Sequence, residues 1–356
     1  MWNLLEETGH TRGMMQKRYR SSVGVFAGVM YQHYQAYGSA FSAIANRVSY
    51  FFDFQGPSLA VDTMCSSSAV AIHMARESLL KGECELAIAG GVNLSIRPEK
   101  YIGLRAAGMI GSHPGSRSFS EGDGMLPAEG VGAVLIKPLD RAVEDGDSIL
   151  AVIKSTAVNH GGQGNGFSVP NPTAQTRLIQ EHFEQSGIDP RTISYVEAAA
   201  NGSPLGDAIE FRALSDAFRA STPDRNFCPI GSVKSNIGHA EAASGISQLT
   251  KVVLQMQHRR LVPTIQAEPR NPELNFDDSP FFLEETGGPW ERPVVDDKEA
   301  PRRAAISSFG AGGTNAHLLV EEWSAEVDQR PEPASGPRLL VLSARTDERL
   351  NVLAKN

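Results

Sequence analysis

Short apolar runs of strand length alternate along this chain with stretches of helical periodicity, and that alternation confines it to an α/β fold. Residues 23–28, 59–63, 86–90 and 131–136 read as strands in the first part. Residues 149–154, 195–198, 229–233, 305–309 and 318–321 read as strands in the second. Between them lie helices such as 247–257, where Leu249, Val252, Val253 and Met256 repeat on one face. Glycine-rich turns fall at Gly122-Asp123-Gly124, Gly161-Gly162-Gln163-Gly164 and Gly310-Ala311-Gly312-Gly313. None has dinucleotide-fingerprint or phosphate-loop spacing, so they read as places of close backbone approach around a pocket. After Trp323 the composition shifts to a Pro-rich linker over 324–338. A further segment, 339–356, restarts with an apolar run at 339–342 and a helix near Thr346.

The totals narrow the function classes. The 356 residues leave room for a full apolar core, and a net charge of −8 argues against nucleic acid or an anionic membrane as partner. Three cysteines without close pairs make neither a disulfide framework nor a zinc site, and no metal is expected. The first residues lack the basic and apolar regions of a signal peptide, and no run nears the ~20 apolar residues that span a bilayer. The expectation is a cytoplasmic protein.

One cysteine is placed for chemistry. Cys65 lies in Val-Asp-Thr-Met-Cys-Ser-Ser-Ser (61–68), where a short apolar strand opens onto a helix. A thiol there meets unpaired backbone N–H groups and the positive end of the helix dipole. Such cysteines drop from about 8.5 toward roughly 3.5–7.5, so Cys65 is expected to be a low-pKa nucleophile. The same N–H groups can receive the oxyanion formed when a thioester carbonyl is attacked. Cys84 and Cys228, in ordinary strand contexts, read as small buried hydrophobes.

Three further segments complete the pattern: Val196–Glu210 (Val-Glu-Ala-Ala-Ala-Asn-Gly-Ser-Pro-Leu-Gly-Asp-Ala-Ile-Glu), Lys-Ser-Asn-Ile-Gly-His at 234–239, and Ser-Ser-Phe-Gly-Ala-Gly-Gly-Thr-Asn-Ala-His at 307–317. In this order and spacing they resemble the ketosynthase (beta-ketoacyl synthase) domains of modular polyketide synthases. Arg117-Ser118-Phe119, Glu129–Ala133 and Val158-Asn159-His160 match that family too. The wording at 29–31, at Met64 and at 200–203 is most similar to synthases that recruit a separate acyltransferase.

The resemblance implies a thiolase-like fold: an N-terminal half over 1–147, a C-terminal half over 148–323, each with a five-stranded sheet, and a homodimer paired along 59–63. It implies that Cys65 takes an acyl chain from the phosphopantetheine arm of an acyl carrier protein, with no bound cofactor. The backbone N–H groups of Cys65 and Ala311 would form the oxyanion hole, and Phe309 would gate the thiol. His239, organised by Lys234, would polarise a thioester through a neutral imidazole N–H. Asn201 and Ser203 would touch the pantetheine. Of the other histidines, His160 and His317 read as fixing loops, and His10, His33, His73, His113, His182 and His258 as surface or packing residues.

Two departures from the family bear on function. Elongating members place a second catalytic histidine in a His-Gly-Thr-Gly-Thr segment after Val-Glu-Ala, and here that position is Ala199. A methyl group neither donates a hydrogen bond nor holds a proton. Losing one preorganised donor costs on the order of 10²–10³ in rate in acyl-transfer sites. The expectation is therefore an acyltransferase that does not elongate. A competent condensing enzyme relying on His239, or a non-catalytic scaffold or truncated fragment, are the alternatives. A serine hydrolase is disfavoured because no Gly-x-Ser-x-Gly elbow is present. The second departure is a missing N-terminal strand region, expected to be central to the first sheet and to be supplied, if at all, by a neighbouring synthase chain. The stretch 37–43 also reads as shorter than in the family.

Overall fold

The structure is a computed structural model that describes residues 1–32, 40–164, 166–265, 268–324 and 342–355. Residues 339–341 of the apolar run, the linker after Ser324, His33 and residues 37–39 lie outside the described residues. The chain divides into two units, Met1–Trp323 and Ser324–Asn356. In the second, a helix at Asp347–Leu353 starts at Thr346, whose hydroxyl accepts from the Arg349 N–H.

The first unit is organised by ten strands: β1 (Val23–Gly28), β2 (Ser58–Val61), β3 (Leu86–Asn93), β4 (Gly130–Ile136), β5 (Ala151–His160), β6 (Tyr195–Glu197), β7 (Cys228–Gly231), β8 (Phe281–Leu283), β9 (Arg303–Phe309) and β10 (Thr314–Glu322). The first four form one sheet in the order β2-β1-β3-β4, and the rest form a second in the order β5-β10-β9-β6-β7-β8. In the first, β1 is parallel to β2 and β3, and β4 is antiparallel to β3. The second repeats that arrangement: β6 is parallel to β7 and β9, and β10 is antiparallel to β9. The strand set β2-β1-β3-β4 is thus built again as β7-β6-β9-β10, which is the two-half architecture expected.

The count of strands corrects the expectation of five per half. The second sheet adds β8 beyond β7 and β5 beyond β10. Among the described residues, the first sheet has no strand beyond β4. The expected gap in the middle of the first sheet is not found either. Both β1 and β3 are paired on both sides, and the open edges are those of β2 and β4. The position that β5 fills beside β10 is, in the first half, the free edge of β4.

Both faces of each sheet are apolar, so period-two alternation distributes side chains between two cores rather than between core and water. In β3, Leu86 and Ile88 face an outer cluster with Val23, Val25 and Phe52, while Ala87 and Ala89 face the central one. In β9, Ala304 and Ile306 point to the centre, and Ala305 points to an outer cluster with Val196, Leu214 and Phe218. Helix α1 (Ser42–Phe52) covers the outer face of the first sheet beside β1 and β2. Helix α2 (Ser67–Leu80) packs inside on β1 and β3, and a short helix α3 (Pro98–Ala106) follows β3. Helices α4 (Pro172–Ser186) and α5 (Pro204–Arg219) pack together, with α4 lying on β5 and β10, and α6 (Ser244–His258) lies against α2 between the sheets.

The α2–α6 contact is close because it lacks side chains at its centre. A Cβ on Gly245 would sit 2.7 Å from the Ala69 backbone nitrogen, a separation only glycine permits. Among the described residues no helix is long and apolar enough to cross a membrane.

The open edge of β4 carries Val131, which is 81 % exposed. Exposed apolar edge strands template association, and a charge there discourages it. Val131→Lys is expected to lower concentration-dependent light scattering while changing stability by no more than about 0.5 kcal/mol, as surface substitutions generally do. Thermal melts and scattering of the two proteins side by side check both halves of this statement.

Candidate active site

Cys65 stands in the turn between β2 and α2, two residues before the helix begins, and is partly buried. The turn is strained locally: Met64 takes φ 60°, a left-handed conformation uncommon for a side-chain-bearing residue. Asp62 accepts from the Met64 N–H at 3.0 Å and Ser67 from the Thr63 N–H at 3.0 Å, holding the turn against that strain. The loop 310–313 closes on it from the second half, with Gly310 set so near the Thr63 carbonyl that a Cβ would collide.

That closure brings two donors to bear on the sulfur. The backbone N–H groups of Ala311 and of Cys65 itself both favour its thiolate. The loop carrying Ala311 is pinned by His160, whose Nε2 lies 3.0 Å from the Gly312 carbonyl while its Nδ1 accepts from the Gly162 N–H at 2.9 Å. His160 therefore fixes a loop, as expected. His317 does not: it lies within β10, fully buried, with its Nδ1 2.8 Å from Nδ1 of His182. Burial holds the His182 imidazole down to about 4, so the pair is neutral packing.

The expected low pKa of Cys65 needs correction. Burial pushes the thiol up, and the neighbouring Lys234 ammonium and the two N–H groups only partly offset this, with the Glu241 carboxylate acting against them. The sequence showed the helix start but could not show how little water reaches it. Cys84 and Cys228 are buried, and desolvation raises both.

Lys234 and His239 arrive from the segment after β7, and both are buried. Lys234 Nζ donates to the Ala199 carbonyl at 2.7 Å. Desolvation lowers its pKa against the opposing pull of Glu210, Cys65, Glu197 and Asp207. His239 Nδ1 accepts from the Glu241 N–H at 2.8 Å, with the Ser244 hydroxyl at 3.1 Å. Desolvation, then the charges of Lys234 and Lys100, hold the ring well below the usual histidine range. It is neutral, its Nδ1 is occupied as an acceptor, and so Nε2 carries the proton.

Ala199 is held at both ends: Lys234 donates to its carbonyl, and its N–H donates to Glu210 at 2.7 Å. Burial pushes Glu210 up to about 8. The next residues wrap the Asp207 carboxylate, which accepts from the N–H groups of Asn201, Gly202 and Phe119 at 2.9, 3.1 and 3.0 Å. Asn201 and Ser203 have local duties as well. Asn201 Oδ1 accepts from the Ser203 N–H, and Ser203 caps α5 by accepting from the Gly206 N–H.

These residues line one cavity of about 680 Å³. Cys65, Ala199, Lys234, His239, Phe309 and Ala311 face it, and so do Asn201 and Ser203. Met30 and the expected pocket turn at Gln163 contribute walls, and so do Leu104 and Phe167, which the motif reading missed because they are scattered apolar residues with no motif of their own. Glu241 and Glu210, also at the cavity, were not singled out, although the regular placement of Glu241 two residues after His239 was visible. Among the described residues no His, Cys, Asp or Glu cluster could hold a metal.

A thiol under two N–H groups, faced by a neutral imidazole N–H at the junction of two repeated α/β halves, defines a thiolase-like ketosynthase site. Residues 1–142 match the family Beta-ketoacyl synthase, N-terminal domain; residues 150–268 match its C-terminal domain; and 271–356 match the Ketoacyl-synthetase C-terminal extension. The chain is 49 % identical over its whole length to part of polyketide synthase PksL of Bacillus subtilis, spanning 8 % of that protein. It is 48 % identical, over 99 % of its length, to part of polyketide synthase ThaG of Burkholderia thailandensis, spanning 7 % of that protein. Among solved structures, an oxazolomycin ketosynthase domain of Streptomyces albus matches with TM-score 0.91 and 48 % identity, over 99 % of this chain and 63 % of that one. The module 6 ketosynthase of the Bacillus subtilis bacillaene synthase matches with TM-score 0.90 and 38 % identity, over 99 % and 60 %. The chain belongs to the beta-ketoacyl synthase family, as a ketosynthase domain of the modular polyketide synthase type.

Because burial raises the Cys65 thiol, its thiolate fraction is small near neutrality and grows with pH. Alkylation of Cys65 by iodoacetamide is expected to accelerate with pH, with a midpoint above that of free cysteine, while Cys84 and Cys228 stay unlabelled. Lys234→Met removes the largest influence lowering that pKa, so the midpoint should move further up. Peptide mass spectrometry across a pH series reads all three outcomes.

Proposed function

We propose that this ketosynthase domain transfers an acyl chain from the phosphopantetheine thioester of an acyl carrier protein onto Cys65, and does not elongate it. The Cys65 sulfur attacks the thioester carbonyl, the new C–S bond forms, the carrier's C–S bond breaks, and the thiol proton leaves on the carrier thiol. The N–H groups of Cys65 and Ala311 hold the transient oxyanion. Phe309 gates the thiol, and Asn201 and Ser203 meet the pantetheine at the cavity wall.

The observation that carries the non-elongating half is Ala199. Its backbone is fixed by Glu210 and Lys234, and what it presents to the cavity is a methyl group. Elongation requires a malonyl unit to lose carbon dioxide, the resulting enolate to attack the Cys65 thioester, and the C–S bond to give way to a C–C bond. One donor, Nε2–H of His239, remains for the enolate oxygen. A shortfall of about 10³ in rate corresponds to roughly 4 kcal/mol of transition-state stabilisation. Transthioesterification needs no second imidazole and is spared.

Acyl loading of Cys65 and carbon dioxide release from malonyl-carrier protein, measured on one sample, test this reading. Loading without release is expected, and Cys65→Ala should abolish loading. Release at the rate of an elongating ketosynthase would refute the non-elongating assignment. Ala199→His alone should restore little, because Ala200 is buried and the Asn201 and Gly202 N–H groups are tied to Asp207. Changing 199–201 to His-Gly-Thr together should restore more.

The same reading makes the domain a homodimer. The open edge of β2 and the exposed Leu59, Tyr50 and Phe51 on β2 and α1 support pairing there. Leu59→Glu is expected to shift sedimentation from dimer toward monomer, and an unchanged dimer would place the interface elsewhere.

A further inference from the structure

A second cluster of buried charge lies behind His239 and takes no part in the chemistry just described. Lys100, on α3, has a side chain with no exposed surface. Its Nζ lies 2.6 Å from Oε1 of Glu241, 2.8 Å from Oδ1 of Asn93 and 3.2 Å from Oγ of Ser95, and 4.8 Å from the centroid of the Tyr31 ring. Glu241 comes from the opposite half, is fully buried, and takes φ 43°. A left-handed backbone at a buried glutamate is costly unless the surroundings enforce it. The Lys100 ammonium is the cation paired with it.

What that conformation presents is the Glu241 N–H, the donor on His239 Nδ1. Asn93, the second partner of Lys100, donates to the Ala128 carbonyl at 2.7 Å, and the Ala128 N–H donates to the His239 carbonyl at 3.0 Å. Lys100 is thus joined to His239 by two routes, one to the imidazole and one to the backbone.

We propose that Lys100 is a positioning residue for His239: through Glu241 it holds the N–H that fixes the imidazole as its neutral Nε2–H tautomer, and through Asn93 it holds the Ala128 segment that anchors the His239 backbone. This rests on the reading of His239 as the donor facing the thioester. The charged and titratable groups around the ring are Lys234 from the segment after β7, Lys100 from α3, Glu241 from the ring's own turn, the Tyr31 phenol bonded to Glu241, and the Cys65 thiol across the cavity. Both lysines disfavour imidazolium, while Glu241 favours it and is neutralised by Lys100. Removing Lys100 takes away one restraining cation and leaves the Glu241 carboxylate with neutral partners only, the Asn93 amide at 3.3 Å and the Tyr31 hydroxyl. Both effects raise the histidine pKa, and an imidazolium at Nδ1 would break the Glu241 N–H bond.

The test is a pH titration by NMR of protein labelled with ¹⁵N-histidine, the His239 signals being assigned by their loss in His239→Gln. In the parent protein His239 should remain the neutral Nε2–H tautomer well below the usual histidine range. In Lys100→Met its midpoint should rise at least tenfold in proton affinity, and Lys100→Arg should restore the parent behaviour. Should Lys100→Met not fold, Lys100→Gln keeps a donor on Glu241 without the charge and should show the same rise. An unshifted titration in whichever variant folds overturns the proposal, and so does loss of fold in both, which would make the pair purely a structural clamp. Cys65 loading measured on the same samples separates the two claims. A parent protein that does not load contradicts the acyl-transfer reading, whereas the titration stands or falls on its own.

Discussion

The close packing of α2 on α6 is the contact on which the rest of this domain depends. Both helices lie between the two sheets and touch without a side chain at Gly245, so the halves approach closely enough for their loops to interlock. The start of α2 then delivers Cys65, and the turn ahead of α6 delivers His239 to the same cavity. A larger residue at 245 would meet the Ala69 backbone and push the helices apart. Misplacing reacting groups by about 1 Å can cost on the order of 10² in rate, so this interface sets the tolerance of the whole site.

Around that contact the site is held mainly by backbone groups bound to buried carboxyl groups. Asp207 gathers three N–H groups, Glu210 takes the Ala199 N–H, and Glu197 takes the Val233 N–H while pairing with Lys251 at 2.9 Å. Each carboxyl group is buried, and each accepts from donors rather than being left bare, as a buried polar group requires. These restraints keep the positions of Ala199 and Lys234 fixed independently of the side chain at 199. A site whose backbone stays in place while one side chain is reduced to a methyl group has lost a donor without losing its shape.

Much of this was legible in the primary structure, and the misses have physical causes. The strands read at 23–28, 86–90 and 131–136 announce themselves because both sheet faces are apolar, giving continuous runs. The site residues Cys65, Lys234 and His239 sit in motifs of small and polar residues that a core would not choose. The cysteine's pKa was misjudged because a helix start is visible in sequence and the water around it is not. A gap was expected at the centre of the first sheet, whereas among the described residues β1 and β3 are each flanked and the open edges are at β2 and β4. Pairing order is a long-range property that a list of strands does not contain. Lys100 was passed over because a lysine on a short helix ordinarily faces solvent, and only folding shows that this one is buried against Glu241.

Local sequence was enough to give the α/β class, the repeated two-half architecture, the placement of Cys65 at a strand-to-helix turn, the Lys234–His239 motif, and the absence of an imidazole at 199. Those follow from local patterns: apolar periodicity, a cysteine at a strand-to-helix turn, motifs in a family's order, and the identity of one residue within a motif. The tertiary structure alone decided the strand order, the raised thiol, the imidazole tautomer and the ion pair behind it. Each of these depends on groups distant in the chain that meet where water is excluded. In that environment desolvation and single charges, rather than residue identity, set which atom carries the proton.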